Sequence, residues 1–289
     1  MIVKDSSKNL NCFKGSLRYF AHKGLYLILI NLVPAVLIPF VLSPSTTMYY
    51  LYNIGNLDTS SLGAMLRFTF DIPYSYWYIG VIGIVLLIFT VAITLGVIDG
   101  HMRVGEFTVS PRMWKSRLNY NILTAIKGVV VAAISLEFYN VVATLLYYLW
   151  ANVFSSPTMV LMLSIITFVL MELGMIFTMS CFILWPPYML HTGMRSGEAL
   201  KTAWSSISGR LFQTVLGIVV AVMPIQAVMA ITAALDLGGI CRTVLDAIAY
   251  AVIMPFYFVV MYNTFYEVTG TERMDLTANS NKRSIWSKR

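Results

Sequence analysis

The chain has 289 residues, 58% of them hydrophobic and only 11% charged, with a net charge of +7 and a mean hydropathy of +0.75. An average soluble domain carries about a quarter charged residues, so this composition excludes a soluble enzyme, a disordered chain and a disulfide-stapled secreted domain. The cations cluster beside apolar runs, which argues for membrane orientation and against nucleic-acid binding.

The N-terminal segment carries Lys4, Lys8, Lys14, Arg18 and Lys23 ahead of the first apolar run, Gly24–Leu42. No small-residue cleavage site follows, so the run reads as a retained span rather than a signal peptide. Before it, Leu10, Phe13, Leu17 and Phe20 form an apolar stripe at helical spacing, opposite Lys14, Arg18 and His22. The loop from Ser43 to Tyr76 reads as a small external cap. The second run, Trp77–Ile98, opens on Tyr74, Tyr76, Trp77 and Tyr78, rings that favour the headgroup level. Asp99, His101, Arg103 and Glu106 follow it, and with no metal-ligand spacing they read as a salt-bridged loop.

Trp114, Leu118 and Ile122 share a face beside Arg112 and Lys115, ahead of the runs Gly128–Trp150 and Met159–Leu184. Tyr147, Tyr148 and Trp150 read as an outer belt and Trp185 as an inner anchor. Leu200, Trp204, Ile207 and Leu211 share a face beside Lys201, ahead of Leu211–Leu235 and Val244–Tyr266. A bilayer-crossing helix needs about 20 apolar residues. Continuous rather than alternating apolarity excludes barrel strands. The fold class expected is therefore all-α and polytopic, with six transmembrane helices in one domain, 1–268, and a basic, disordered cytoplasmic tail, 269–289.

Eighteen Lys and Arg fall on one side of this arrangement, leaving only Arg67 and Arg242 on the other. Positive charge resists translocation, so the richer side and both termini are expected in the cytoplasm of a bacterial inner membrane. The three amphipathic segments divide the chain into three hairpin units, each led by a short interfacial helix. The competing reading is that these segments simply extend the spans. Lys14, Arg18, Arg112, Lys115 and Lys201 are the candidates for contacting anionic lipid.

Glu137 and Glu172 lie in the middle of spans three and four. Charge is costly in lipid, so such acids face a bundle interior or a partner. A close pair would share a proton or hold a cation; the alternative is neutral, hydrogen-bonded acids that lock helices together. Lys127 is placed to snorkel from span three. Pro34, Pro39, Pro186, Pro187, Pro224 and Pro255 fall within the spans as kink candidates, and Gly80, Ala92, Ala230 and Ala234 suit close helix contact. Cys12, Cys181 and Cys241 form no CxxC pair and read as idle thiols. No P-loop, GxSxG, kinase or dinucleotide motif occurs, so no catalytic residue, metal or cofactor is implied.

The run Gly197-Glu198-Ala199-Leu200-Lys201-Thr202-Ala203-Trp204, followed by Gly209-Arg210-Leu211-Phe212, resembles poorly characterised bacterial six-span proteins. It is similar to the membrane region attached to some glycerophosphodiester phosphodiesterases and to related domain-of-unknown-function families. Leu29-Ile30-Asn31-Leu32-Val33-Pro34 adds to the likeness. The resemblance implies fold and location only, because the phosphodiesterase barrel has no room in this chain. The function expected is a non-enzymatic membrane scaffold or accessory subunit of an envelope or transport assembly, with the lipid bilayer, anionic lipids and a membrane protein as partners. The alternative is a small ion- or proton-coupled permease using Glu137 and Glu172.

Overall fold

The computed structural model describes residues 3–42, 61–66, 76–105, 107, 111–234 and 239–276. The main elements are α1 (Val3–Leu37), α2 (Trp77–Val104), α3 (Pro111–Val153), α4 (Pro157–Phe182), α5 (Trp185–His191), α6 (Ser196–Ile207), α7 (Leu211–Ala234) and α8 (Gly239–Thr269). No strand occurs among the described residues. The protein is all-α, and among the described residues five stretches are long and apolar enough to cross a bilayer, as a multi-pass membrane protein requires: Phe13–Phe40, Trp77–Val104, Asn121–Val153, Pro157–His191 and Ile240–Thr269. The sixth expected span lies in α7, whose apolar stretch is the shorter Thr214–Val228.

The outward faces explain the composition. Leu25, Leu29, Val33 and Val36 on α1 are exposed, as are Ile134 and Phe138 on α3 and Met162, Ile166 and Leu170 on α4. Buried polar residues lie on the opposite faces, including Asn31, Thr94, Asn121, Asn140 and Ser164. Such an arrangement suits lipid outside and hydrogen-bonded partners inside.

Helix α1 packs most extensively on α8 and α2. From α2 the contacts pass to α3, α4 and α7, and from α7 back to α8. The bundle is thus a closed ring of long helices, with α5 and α6 packed on each other beside it. Asn263 Nδ2 donates to Ser16 Oγ at 2.6 Å, and the Tyr250 hydroxyl donates to the Leu42 carbonyl at 2.9 Å. These two bonds fix α1 and α8 as antiparallel and place the start of α1 and the end of α8 at one end of the bundle, called here the terminal end.

Glycine ends helices there. Gly105 takes φ 81°, a left-handed conformation open to glycine, and its N–H bonds the His101 carbonyl at 2.8 Å to stop α2. Gly270, at φ 67°, turns the chain back after α8.

Several local expectations change. The first two amphipathic segments are not separate helices, since α1 and α3 run through them unbroken. Only the third is independent, as α6. Pro34, Pro224 and Pro255 stand inside helices. Pro39 instead starts a 3-10 turn, and Pro186 and Pro187 start α5, where their missing N–H costs nothing. Tyr147 and Trp185 are buried rather than set at a membrane belt. Each spends its ring on packing, and the Trp185 Nε1 donates to the Ser196 carbonyl at 2.9 Å. Tyr76, Trp77 and Tyr78 are exposed. Of the expected cap, only 61–66 and Tyr76 are described, and Met65 packs on Ala143 and Tyr147.

The tail also begins differently. Arg273 binds Asp275 through two contacts of 3.1 and 2.7 Å, and donates to the Asn263 Oδ1 on α8. Asp275 is only 5% exposed, so the chain just past α8 is a packed strap. Residues 277–289 lie outside the described residues.

Candidate functional site

Two polar regions stand out, one at the terminal end and one in the apolar middle of the bundle. At the terminal end, α1 presents Tyr19 and α2 presents His101, one turn before the glycine stop. His101 Nδ1 lies 3.0 Å from the Tyr19 hydroxyl. The His101 ring also meets Phe107 edge-on, with centroids 5.3 Å apart. Four residues apart on another face of α2, Asp99 and Arg103 form an ion pair at 3.7 Å. Asp99 also meets His191 Nδ1, at the end of α5, at 3.2 Å. The strap carboxylate Asp275 and guanidinium Arg273 act electrostatically on Tyr19, His101 and Tyr266. The sequence cluster of Asp99, His101 and Arg103 is therefore split: one face ties α2 to α1, the other ties it to α5. Glu106 lies outside the described residues. No group of three His, Cys, Asp or Glu among the described residues is placed to hold a metal.

The middle region holds the two acids. Gln226 Nε2 on α7 donates to Glu172 Oε2 on α4 at 3.1 Å. Tyr147 on α3, fully buried, stands within electrostatic range of Glu172. Glu137, half-buried, occupies a different level of α3. The register between α3 and α4 follows from two bonds, Tyr139–Thr178 at 2.8 Å and Trp150 Nε1 to Thr167 Oγ1 at 2.9 Å. Extending it at 1.5 Å per residue separates Glu137 and Glu172 by roughly 12 Å along the axis. The two carboxyls therefore do not form one shared-proton pair. Glu172 finds its hydrogen-bond partner on α7, an amide that spacing along the sequence did not flag.

The basic candidates divide in the same way. Lys14 and Arg18 are exposed on α1, and Lys201 is exposed on α6. Arg112 and Lys115 fall in the first turns of α3, where side chains lie outside the described residues. Lys127 is not free in solvent: its Nζ donates to Ser196 Oγ at the start of α6.

Helix α6 is amphipathic in two senses. Ala199, Ala203 and Ile207 are buried against the protein, and the Tyr188 and Ser206 hydroxyls lie 2.9 Å apart. Leu200, Trp204 and Lys201 face outward. Apolar rings beside a cation are the combination that suits a membrane interface.

No family model, curated protein or solved structure matches the chain.

Proposed function

We propose that this protein is a non-enzymatic, six-span component of the cytoplasmic membrane, a scaffold or accessory subunit of an envelope or transport assembly. Both termini lie in the cytoplasm, and the chain forms three helical hairpins. Anionic lipid is engaged along the basic inner face. The observation that carries this reading is the use made of interior polar groups. Asn31 Nδ2 donates to Thr94 Oγ1 at 2.9 Å, Asn121 Nδ2 to the Ala92 carbonyl at 3.1 Å, and Asn263 to Ser16. These bonds join neighbouring helices and act as interhelical locks.

Helix direction supports six crossings. The Glu172–Gln226 bond and the packing of Ala230 and Phe168 about Ala249 set α7 between α4 and α8. The Tyr257 hydroxyl donates to the Met179 carbonyl at 2.9 Å, and with Phe168 at Ala249 this makes α4 and α8 run the same way, with α7 returning between them. The likeness to the membrane region of glycerophosphodiester phosphodiesterases agrees with this location and carries no reaction.

Native mass spectrometry of the protein in its own membrane patch tests the reading. A stoichiometric protein partner is expected. A monomer carrying one discrete solute would contradict it.

A second reading, an ion- or proton-coupled permease, rests on the Glu172–Gln226 contact inside the bundle. Reconstituted flux that is lost on Glu172→Gln would establish it. Flux unchanged by Glu137→Gln and Glu172→Gln would remove its residues.

A further inference from the structure

The outward side chains of α1 are ordered by chemistry. Lys14, Arg18 and His22 are exposed toward the terminal end, and Leu25, Leu29, Val33 and Val36 are exposed beyond them. Steps of three and four keep these residues on one stripe of the helix. At 1.5 Å per residue, Arg18 to Lys23 covers roughly 8 Å and Leu25 to Val36 roughly 16 Å. Those lengths match a headgroup layer and half of a hydrocarbon core of about 30 Å.

An aromatic wall stands where charge gives way to apolar surface. Lys23 Nζ lies 4.8 Å from the Phe107 centroid, and Tyr26 packs on Phe107 with centroids 5.6 Å apart. Tyr26 is 52% exposed. Phe107 reaches α1 because Gly105 stops α2 and turns the chain.

We infer that the outer face of α1 beside Phe107 holds one anionic phospholipid. Its phosphate sits at Arg18 and Lys23, its glycerol against Tyr26 and Phe107, and one acyl chain along Leu25, Leu29 and Val33. An anionic lipid fits because it brings negative charge to Arg18 and Lys23, whereas the choline of a zwitterionic lipid adds a further cation beside them. The inference rests on the membrane orientation proposed above and adds a discrete site to it.

The test uses the full chain in nanodiscs of equal phosphatidylglycerol and phosphatidylcholine, stripped stepwise in detergent and weighed by native mass spectrometry. The wild type is expected to keep one phosphatidylglycerol in preference to phosphatidylcholine. Each of Arg18→Gln and Lys23→Gln is expected to lower that retention about fivefold, Lys23→Arg to restore it, and Lys201→Gln on α6 to leave it unchanged. Equal retention by wild type and the Arg18→Gln/Lys23→Gln variant overturns the site. An equal loss in Lys201→Gln also overturns it, since charge would then act as a diffuse face, but leaves anionic-lipid engagement standing. No preference for phosphatidylglycerol in any form, wild type included, overturns both.

Discussion

The α1–α2–α8 side of the ring and the α3–α4 side solve the same problem differently. In α2, 56% of the most apolar stretch is buried inside the protein, whereas in α4 the share is 17%. Tight crossing explains the first value. A Cβ at Gly83 would lie 2.7 Å from the Leu37 Cβ and 2.9 Å from its backbone carbon, so only glycine lets α1 and α2 approach this closely. On the second side, Tyr139 and Thr178, and Trp150 and Thr167, hold two helices whose outer faces are nearly all apolar. One side is a packed clamp that brings together the start of α1 and the end of α8. The other is a thin wall, open to lipid or to a partner, and it carries Glu172.

The largest effect expected is at the strap. Arg273→Gln leaves Asp275 buried without its cation, and loss of one member of such a pair costs about 3 kcal/mol. Thermal unfolding in detergent should fall by many degrees, and replacing both residues should recover part of it. An unchanged midpoint would mean that the strap is not part of the clamp.

Gly83→Ala comes next, at about 1–3 kcal/mol from overpacking. The contrast is Gly128→Ala on α3, where nothing lies within 4 Å of the added carbon and no loss is expected. Equal losses at the two sites would erase the distinction between clamp and wall.

Smaller again, Thr94→Val removes the acceptor for Asn31 inside the clamp, and Glu172→Gln alters the bond to Gln226 in the wall. Each interhelical bond of this kind contributes about 0.6 kcal/mol in membranes. Thr94→Val should be felt in unfolding. Glu172→Gln preserves a hydrogen-bonding side chain and should leave the midpoint near wild type. A pH-dependent flux abolished by Glu172→Gln would move the wall from scaffold to permease.

The all-α, multi-pass character was legible because long, continuously apolar runs form long helices. The runs Trp77–Ile98, Gly128–Trp150 and Val244–Tyr266 fall within observed helices, as does the amphipathic run from Leu200 to Ile207. What periodicity concealed was continuity: a polar stripe around Lys14 looks the same whether its helix lies in the interface or continues into the span. The site was harder to read. Glu172 was marked by its cost in lipid, but its partner, Gln226, is 54 positions away in sequence and uncharged. Asp99 and His101 were seen as one cluster, whereas a two-residue step on a helix turns their side chains to different faces. The strap was hidden because Arg273 and Asp275 look like ordinary tail charges until Arg273 is seen to bridge Asp275 and Asn263.

The proposal of six crossings with both termini in the cytoplasm turns on α7. Single cysteines, introduced after Cys12, Cys181 and Cys241 are replaced by serine, would be labelled in intact cells with a membrane-impermeant maleimide. Ser155→Cys between α3 and α4, and Leu237→Cys between α7 and α8, are expected to label from outside. Lys8→Cys and Ser208→Cys are expected to label only after permeabilisation. A protected Leu237→Cys beside a labelled Ser155→Cys would show that α7 does not cross, and would contradict the ring as a six-span unit.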